Sequence, residues 1–321
     1  MSGGDLAALP SIGFIIAPAC VRNAGPAASF AWEEFFVGKL RNPHTRAAYL
    51  RAVQRFLAWC EEQGAELPRI TPGMVGAYFD EVPGSVPSKK LYLAAIRAFF
   101  DILVQRHVVV LNPALSVKTE RYSAMEGKTP EITVEQCRTL LTSIELQSLI
   151  DARDRAIVGV LIYTAARAGA VAGLRMKDLA PDGAQLVLRF AEKGGKARAI
   201  PVRHDLHRFL ADYLFAADLE NAPKDSPLFR SGVGRTRRLG DLGMSAVDIC
   251  RMVKRRLKAG GLSTLISPHS FRSCAATDLL SQGVHPDDVQ YLLGHADART
   301  TRLYDRRQKQ VTRNIVERIS V

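Results

Sequence analysis

Residues 267–283 read SPHSFRSCAATDLLSQG. Ser267 and Pro268 are typical of a helix N-cap and first turn, so we expect a helix to begin here. His269 and Arg272 are three residues apart and share a face at the helix N-terminus. Free backbone N–H groups and the positive end of the helix dipole favour phosphate there, and the arginine fork matches phosphate oxygens. The alternative is a packed histidine beside a surface arginine, because HxxR alone is a weak signal.

Downstream, residues 292–304 read LLGHADARTTRLY. Gly294 is typical of a helix C-terminus and places His295 in the turn that follows. Tyr304 comes nine residues after His295, among basic residues. Those residues are Arg299, Arg302, Arg306, Arg307 and Lys309. A tyrosine hydroxyl has a pKa of about 10, so it becomes a nucleophile when cations lower that pKa or a histidine accepts its proton. The alternative for Tyr304 is a core tyrosine with its hydroxyl in water.

Upstream, residues 151–170 are predicted to form one helix, and Arg167 follows its apolar run. A cation in such surroundings needs a bound anion or an internal carboxylate, for instance Asp178. Two strands are predicted next, at 185–190 and 197–202, with the turn EKGGK between them. Lys193 lies at the tip of this hairpin and by itself would be an ordinary solvated lysine.

The first part of the chain predicts an all-α unit. Asn42–Pro43 and Thr71–Pro72 each have an N-cap residue followed by proline, and a further helix is predicted from about 88 to 104. Thr133 begins a capping box that opens a second domain. That domain is predicted to be helical again from about Asp205. The predicted divisions are a flexible N-terminus at 1–25, a helical domain at 26–115, an exposed linker at 116–130 and a second domain at 131–321.

The composition favours a polyanionic partner. Lys and Arg total 44 against 32 for Asp and Glu, and the net charge of +12 fits DNA, RNA or an acidic membrane surface without choosing among them. The five cysteines form no CxxC pair, so a reducing cytoplasm fits better than a disulfide framework or a zinc site. The apolar segment at 12–21 is too short and interrupted to be a membrane span. His204 and His207 have no evident third metal ligand and are interpreted as exposed histidines.

In chain order these motifs resemble the tyrosine recombinases or phage-type integrases, a family that includes the Xer-type recombinases. The family pattern is an arginine, a lysine on a β-turn, HxxR, LGH, and a tyrosine nine residues beyond that histidine. The matching residues are Arg167, Lys193, His269, Arg272, His295 and Tyr304. The resemblance covers essentially the whole second domain and, more weakly, residues 42–60. One departure is TAAR at 164–167, where the family text is TGLR; Ala166 in place of leucine is expected to loosen local packing.

The resemblance implies a fold and a reaction. The fold would be mainly α with a small antiparallel β-sheet in an α+β catalytic domain, plus an all-α, DNA-binding N-terminal domain. The reaction would be site-specific DNA recombination, as in integration, excision or resolution, through a 3′-phosphotyrosyl bond to Tyr304 and without metal or other cofactor. Arg167 and Arg272 would hold phosphate oxygens, and Lys193 would protonate the leaving 5′ oxygen.

The two histidines of the pattern, His269 and His295, would assist proton transfer. The implied partner is double-stranded DNA, and the implied assembly is a homotetramer on two DNA sites, which is compatible with a monomer in free solution. Further partners compatible with the resemblance are a related recombinase and an accessory DNA-binding protein. No membrane is implied. The apolar spacing of residues 305–321 predicts a tail that packs on a neighbouring protomer or on its own domain. Two alternatives remain: an enzyme similar to type IB topoisomerases that relaxes DNA, and a non-catalytic, sequence-specific DNA-binding protein.

Overall fold

The structure is a computed structural model that describes residues 15–120, 130–183, 185–191, 197–234 and 236–294. These residues form two compact units, one before and one after the segment 121–129. The described residues of the first unit are helical with loops, and the second unit combines helices with short antiparallel strands. The predicted fold class, an all-α domain followed by an α+β domain, is confirmed.

The first unit is a helical bundle around an aromatic core. Its helices are α1 (Ala19–Asn23), α2 (Pro26–Glu33), α3 (Pro43–Glu62), α4 (Pro72–Glu81) and α5 (Val86–Gln105), with a π-helical turn at Glu34–Lys39 and a 3-10 turn at Leu67–Arg69. The predicted starts of α3 and α4 are confirmed, because Asn42 Oδ1 accepts the backbone N–H groups of His44 and Thr45 at 3.0 and 3.1 Å and Thr71 caps α4. Phe56 and Phe100 pack edge to face in the core.

The start of the chain is anchored where the structure describes it. Val21 on α1 is fully buried, the Cys20 N–H donates to Glu61 Oε1 at 2.6 Å, and Trp32 Nε1 donates to the Ile15 carbonyl at 3.0 Å. The predicted flexible N-terminus at 1–25 is therefore corrected for residues 15–25. The Gly, Ala and Pro content on which that prediction rested carries no information about contacts with distant residues. Residues 1–14 lie outside the described part.

The second unit begins at the predicted capping box, with the Gln136 N–H donating to Thr133 Oγ1 at 3.1 Å. Its helices are α6 (Val134–Thr142), α7 (Leu149–Thr164), α8 (Ala168–Ala172), α9 (His204–Ala216), α10 (Ala246–Ala259), α11 (Pro268–Ser281) and α12 (Pro286–Leu293), with a 3-10 turn at Met176–Asp178. Its strands are β1 (Leu179–Asp182), β2 (Gln185–Ala191), β3 (Ala197–Pro201), β4 (Arg230–Gly232) and β5 (Leu239–Gly243). The core of this unit is formed mainly by α7, α9, α10 and the sheet.

The strands form two small antiparallel sheets. The first has the order β1-β2-β3, with Leu188 paired to both Leu179 and Ile200, and it confirms the two predicted strands of the hairpin. The second pairs β4 with β5 in the region after Asp205 that was predicted to be helical. That prediction missed these strands because RSG and LGDLG are short and lack the apolar alternation that marks a half-buried strand.

Helix α7 ends earlier than the sequence predicts. Instead of one helix over 151–170, α7 stops at Thr164, Ala165 adopts a left-handed conformation with φ of 50°, and α8 begins three residues later. The Thr164 hydroxyl donates to the Val160 carbonyl at 2.7 Å and accepts the Ala166 N–H at 3.3 Å. These bonds satisfy polar groups at the helix end, where the unbroken helical pattern of the sequence does not become an unbroken helix.

Candidate active site

The N-terminus of α11 places its residues on two sides. Ser267 is the N-cap and its N–H donates to Ser270 Oγ at 3.1 Å, while Pro268 occupies the first turn. Ser270 and Phe271 are buried in the unit, so His269 remains on the exposed side of the turn. The predicted helix start is confirmed, and it presents an imidazole beside free backbone N–H groups.

Arg272 is buried and joins three elements. Its side chain is only 1% exposed. Nη1 donates to the Ala165 carbonyl at 2.8 Å, and Nη2 donates to the Leu293 carbonyl. Both acceptors lie at helix C-termini, where carbonyls lack intrahelical partners and the helix dipole is negative. The guanidinium therefore holds the end of α7 and the end of α12 against α11.

Arg167 lies at the N-cap position of α8 with its side chain exposed. The two residues before it, Ala165 and Ala166, are fully buried, but the Arg167 side chain itself is exposed. Asp178, the proposed internal partner, instead accepts the Arg175 N–H at 2.8 Å. Within the described ranges, no carboxylate forms an ion pair with Arg167.

The charges of two arginines, Arg272 and Arg167, act on the His269 ring. Partial desolvation, the charge of Arg272 and then the charge of Arg167 lower the pKa of the His269 imidazole below its ordinary value. The two arginines act on the same ring although they come from segments about a hundred residues apart in sequence. At neutral pH the ring is therefore uncharged and can accept a proton, beside two cations suited to phosphate.

The remaining predicted site residues are Lys193, His295 and Tyr304, and all of them lie outside the described residues. The nearest described positions are the Ala191–Ala197 pair, which closes the β2–β3 ladder, and Gly294, which ends α12 in a left-handed conformation with φ of 58°. The predicted stop at Gly294 is confirmed. In the described part of the chain, no group of three His, Cys, Asp or Glu side chains is arranged to hold a metal ion. His204 and His207 are exposed on α9, as interpreted.

A buried acidic residue was not singled out in the sequence. The Asp154 carboxylate on α7 is fully buried and accepts hydrogen bonds from Arg153 Nη2 at 2.7 Å, Arg255 Nη2 at 2.6 Å and Arg256 Nε at 2.8 Å. Because an unpaired buried charge is costly, these bonds fix α10 against α7. An aspartate within an apolar helical run is the sequence signal that indicates such a buried carboxylate.

A basic cavity lies beside this network. It has a volume of about 670 Å³ and opens between α10 and the β4–β5 hairpin. Its arginines are Arg153, Arg237, Arg238, Arg251 and Arg255, and one carboxylate, Asp248, also lines it. Such a concentration of guanidinium groups favours phosphate oxygens over other ligands. The net charge predicts a polyanionic partner, but it does not predict where on the molecule these arginines gather.

Comparison with known proteins settles the family. A model described as the phage integrase family matches residues 130–311, more than half of the chain. The chain belongs to the phage integrase family. A second model, the SAM-like N-terminal domain of phage integrases, matches residues 32–107. The function of this phage integrase family member is site-specific DNA recombination, in which an enzyme of the tyrosine recombinase class breaks and rejoins DNA.

Individual relatives agree with this assignment. The tyrosine recombinase XerD of Chlorobaculum tepidum is 28% identical over 269 residues, covering 81% of this integrase family member and 85% of the relative. The tyrosine recombinase XerC of Pelobacter propionicus is 29% identical over 269 residues, covering 82% and 84%. No described helix is both long and apolar enough to cross a membrane.

Solved structures share the fold. The XerH site-specific recombinase, bound to palindromic difH substrate in a post-cleavage complex, matches with a TM-score of 0.67 at 20% identity, covering 85% of this chain and 79% of that one. A lambda integrase dimer bound to a COC′ core site matches with a TM-score of 0.65 at 19% identity, covering 86% and 93%. At these identities the likeness concerns the fold alone.

Proposed function

We propose that Tyr304 is the nucleophile of the recombination reaction. Its hydroxyl attacks a DNA phosphodiester, forming a 3′-phosphotyrosyl bond and releasing a 5′-hydroxyl; a 5′-hydroxyl from another strand then attacks that bond and frees the tyrosine. The observation that supports this is the convergence of Arg167, His269 and Arg272 at the N-terminus of α11. The covalent link conserves the bond energy, so the cycle needs neither metal nor ATP.

The arginines stabilise the charge that develops on the phosphate. Arg272 has its guanidinium held by the carbonyls of Ala165 and Leu293, so little reorganisation is needed when phosphate binds. Arg167 is exposed and supplies a second cation from α8. Two cations at the non-bridging oxygens, one of them held in place by main-chain carbonyls, favour the more highly charged transition state over the diester.

Proton transfer is shared among three residues. His269 is uncharged at neutral pH because its pKa is lowered, so it can accept a proton during attack and return it later. We assign Lys193 as the acid that protonates the leaving 5′ oxygen, and His295 as a second histidine at the phosphate. These two roles rest on the family pattern and on the positions of both residues in the sequence.

Duplex DNA is the proposed partner, and the arginine-lined cavity between α10 and the β4–β5 hairpin contacts its phosphates. Each phosphate neutralised releases condensed counterions, so the affinity for DNA falls steeply as the salt concentration rises.

The working assembly is a tetramer on two DNA sites; a lambda integrase tetramer bound to a Holliday junction has the same fold, with a TM-score of 0.64. A monomer in free solution is compatible with this. The five cysteines are free thiols, which supports a reducing cytoplasm.

The C-terminal tail, residues 305–321, completes the proposed assembly. Val311, Ile315, Val316 and Ile319 recur at near-helical spacing and give it an apolar face. We assign this face to contact with a neighbouring protomer or with its own domain. Truncation after residue 308 changes synapsis, cleavage or both; a truncated protein with unchanged synapsis and cleavage excludes either contact.

The deciding experiment detects the covalent intermediate. The protein is incubated, without divalent metal, with nicked duplexes covering the DNA that flanks its gene, and SDS-resistant protein–DNA adducts are resolved. The wild type is expected to form an adduct and Tyr304→Phe to form none. Tyr291→Phe, at an exposed tyrosine of α12, is the matched control and is expected to retain the adduct.

Two outcomes contradict the proposal. An adduct that survives in Tyr304→Phe assigns the nucleophile to another residue. Absence of any adduct from a tail-truncated protein on a mapped binding site favours a non-catalytic, sequence-specific DNA-binding protein instead.

A further inference from the structure

Two helices of the second unit each bring one cysteine to the same place. Cys137 lies on α6 and is buried, and Cys274 lies on α11 and is partly exposed. Both line a cavity of about 550 Å³ whose wall includes Phe271 and Arg138. The two thiols are close enough to perturb each other's pKa where α6 and α11 pack together. Their 137 residues of sequence separation hide this pairing from any local motif.

The two sulfurs differ in exposure and in pKa. Cys274 is partly exposed, whereas Cys137 is buried. The neighbouring Cys137 lowers the pKa of Cys274, against the opposing effects of burial and of Asp278, while Cys274 and burial raise the pKa of Cys137. The thiolate is the nucleophilic form of cysteine, so Cys274, the more exposed thiol, is the attacking group and Cys137 the resolving one.

We propose that Cys137 and Cys274 form a reversible disulfide that responds to peroxide and slows DNA cleavage. The Cys274 thiolate attacks one peroxide oxygen and breaks the O–O bond, giving a sulfenic acid and one water once the proton is returned. The Cys137 sulfur then attacks the sulfenic sulfur and displaces a second water. In sum, two thiols and one hydrogen peroxide give one disulfide and two waters, so the cysteines are oxidised as the peroxide is reduced.

The effect on cleavage follows from the position of Cys274, two residues beyond Arg272 on α11. A disulfide holds its sulfurs about 2.05 Å apart, closer than two unbonded sulfurs can approach, so closing it draws α11 towards α6. The same helix presents His269 and sets the hydrogen bonds of Arg272 to Ala165 and Leu293. Displacement of catalytic groups by about 1 Å can reduce a rate about 100-fold. This part of the inference rests on the proposed function, whereas disulfide formation does not.

The test separates the chemistry from the activity. The reduced full-length protein is treated with hydrogen peroxide, its remaining thiols are alkylated, and tryptic peptides are mapped without reductant. We expect a crosslink between residues 129–138 and 273–299, reversed by dithiothreitol. Cys250→Ser, at the other partly exposed cysteine, is expected to crosslink as the wild type does. In Cys137→Ser the sulfenic acid persists on Cys274 and reacts with dimedone, whereas Cys274→Ser leaves Cys137 unoxidised.

The second measurement is adduct formation on nicked DNA before and after oxidation. A fall of tenfold or more, restored by dithiothreitol and absent from Cys137→Ser, supports the inference. A crosslink elsewhere, preferential oxidation of Cys137, or a disulfide that leaves the adduct rate unchanged overturns it. If the reduced protein forms no adduct but the crosslink appears, the proposed function fails while the site of oxidation stands.

Discussion

Helices α7 and α12 end in the same backbone conformation, but with different residue types. Both helices terminate in a left-handed residue, Ala165 with φ of 50° and Gly294 with φ of 58°. Both ends also supply a carbonyl to Arg272. Glycine adopts this conformation without a Cβ clash, whereas alanine meets one that costs about 1–2 kcal/mol. The end of α12 is therefore set by its own sequence, whereas the end of α7 is held by a distant contact, from Arg272, against local strain.

The largest expected effect comes from removing the shared contact. Arg272→Lys replaces a planar fork with a single ammonium group that cannot bond both carbonyls in the same geometry. We expect the free energy of unfolding to fall by about 2–3 kcal/mol, because a buried charge loses hydrogen bonds. We also expect adduct formation to fall by about 100-fold or more. Urea unfolding and the nicked-duplex assay measure the two effects. Arg208→Lys, at an exposed arginine of α9, should change stability by less than about 0.5 kcal/mol; equal stability of the two variants would refute the role of Arg272.

The next effect comes from giving α12 the residue that ends α7. Gly294→Ala introduces a Cβ at a left-handed position, and we expect the free energy of unfolding to fall by about 1 kcal/mol. Thermal or urea unfolding measures this change. No loss of stability would mean that the end of α12 relaxes out of the left-handed conformation, and the two helix ends would then not be equivalent.

The reverse substitution, Ala165→Gly, tests the strain at the end of α7. Ala165→Gly removes the left-handed strain but adds chain entropy to the unfolded state, so we expect a gain of about 0.5–1 kcal/mol in unfolding free energy. Ala166→Gly, at the neighbouring buried alanine, is the control and is expected to lose about 1 kcal/mol. If both variants are destabilised equally, the strain assigned to Ala165 does not exist.

The smallest expected effect is on the pKa of His269. The pKa of His269 is lowered by desolvation, Arg272 and Arg167. Because the folded pKa lies below the unfolded value of about 6.5, the unfolded state binds more protons, and stability falls as the pH drops through that value. An NMR titration, assigned with His269→Asn, should give a midpoint below about 6.5. Replacing Arg167 by Gln should raise that midpoint; a midpoint that does not move would place Arg167 away from the imidazole.

Local signals predicted much of the fold. The starts of α3, α4, α6 and α11 follow from residues whose side chains or rings satisfy the first turn. The β2 and β3 strands follow from two strand-like runs with a polar turn between them. The break after Thr164, the β4–β5 hairpin and the packing of α1 could not be predicted in this way. Each depends on hydrogen bonds or buried contacts with residues distant in sequence.

The candidate site likewise has features that the sequence predicts and features that it does not. The order of the catalytic groups, from Arg167 to Tyr304, and the helix start that exposes His269 could both be predicted from the sequence. Both follow from the identity of the side chains and their local spacing. Only the tertiary structure decided that Arg272 is buried between two main-chain carbonyls, that Arg167 is exposed and that Cys137 meets Cys274. The Ala165 carbonyl lies 107 residues from Arg272 in sequence. Contacts over such distances arise from packing the whole unit, and no local pattern encodes them.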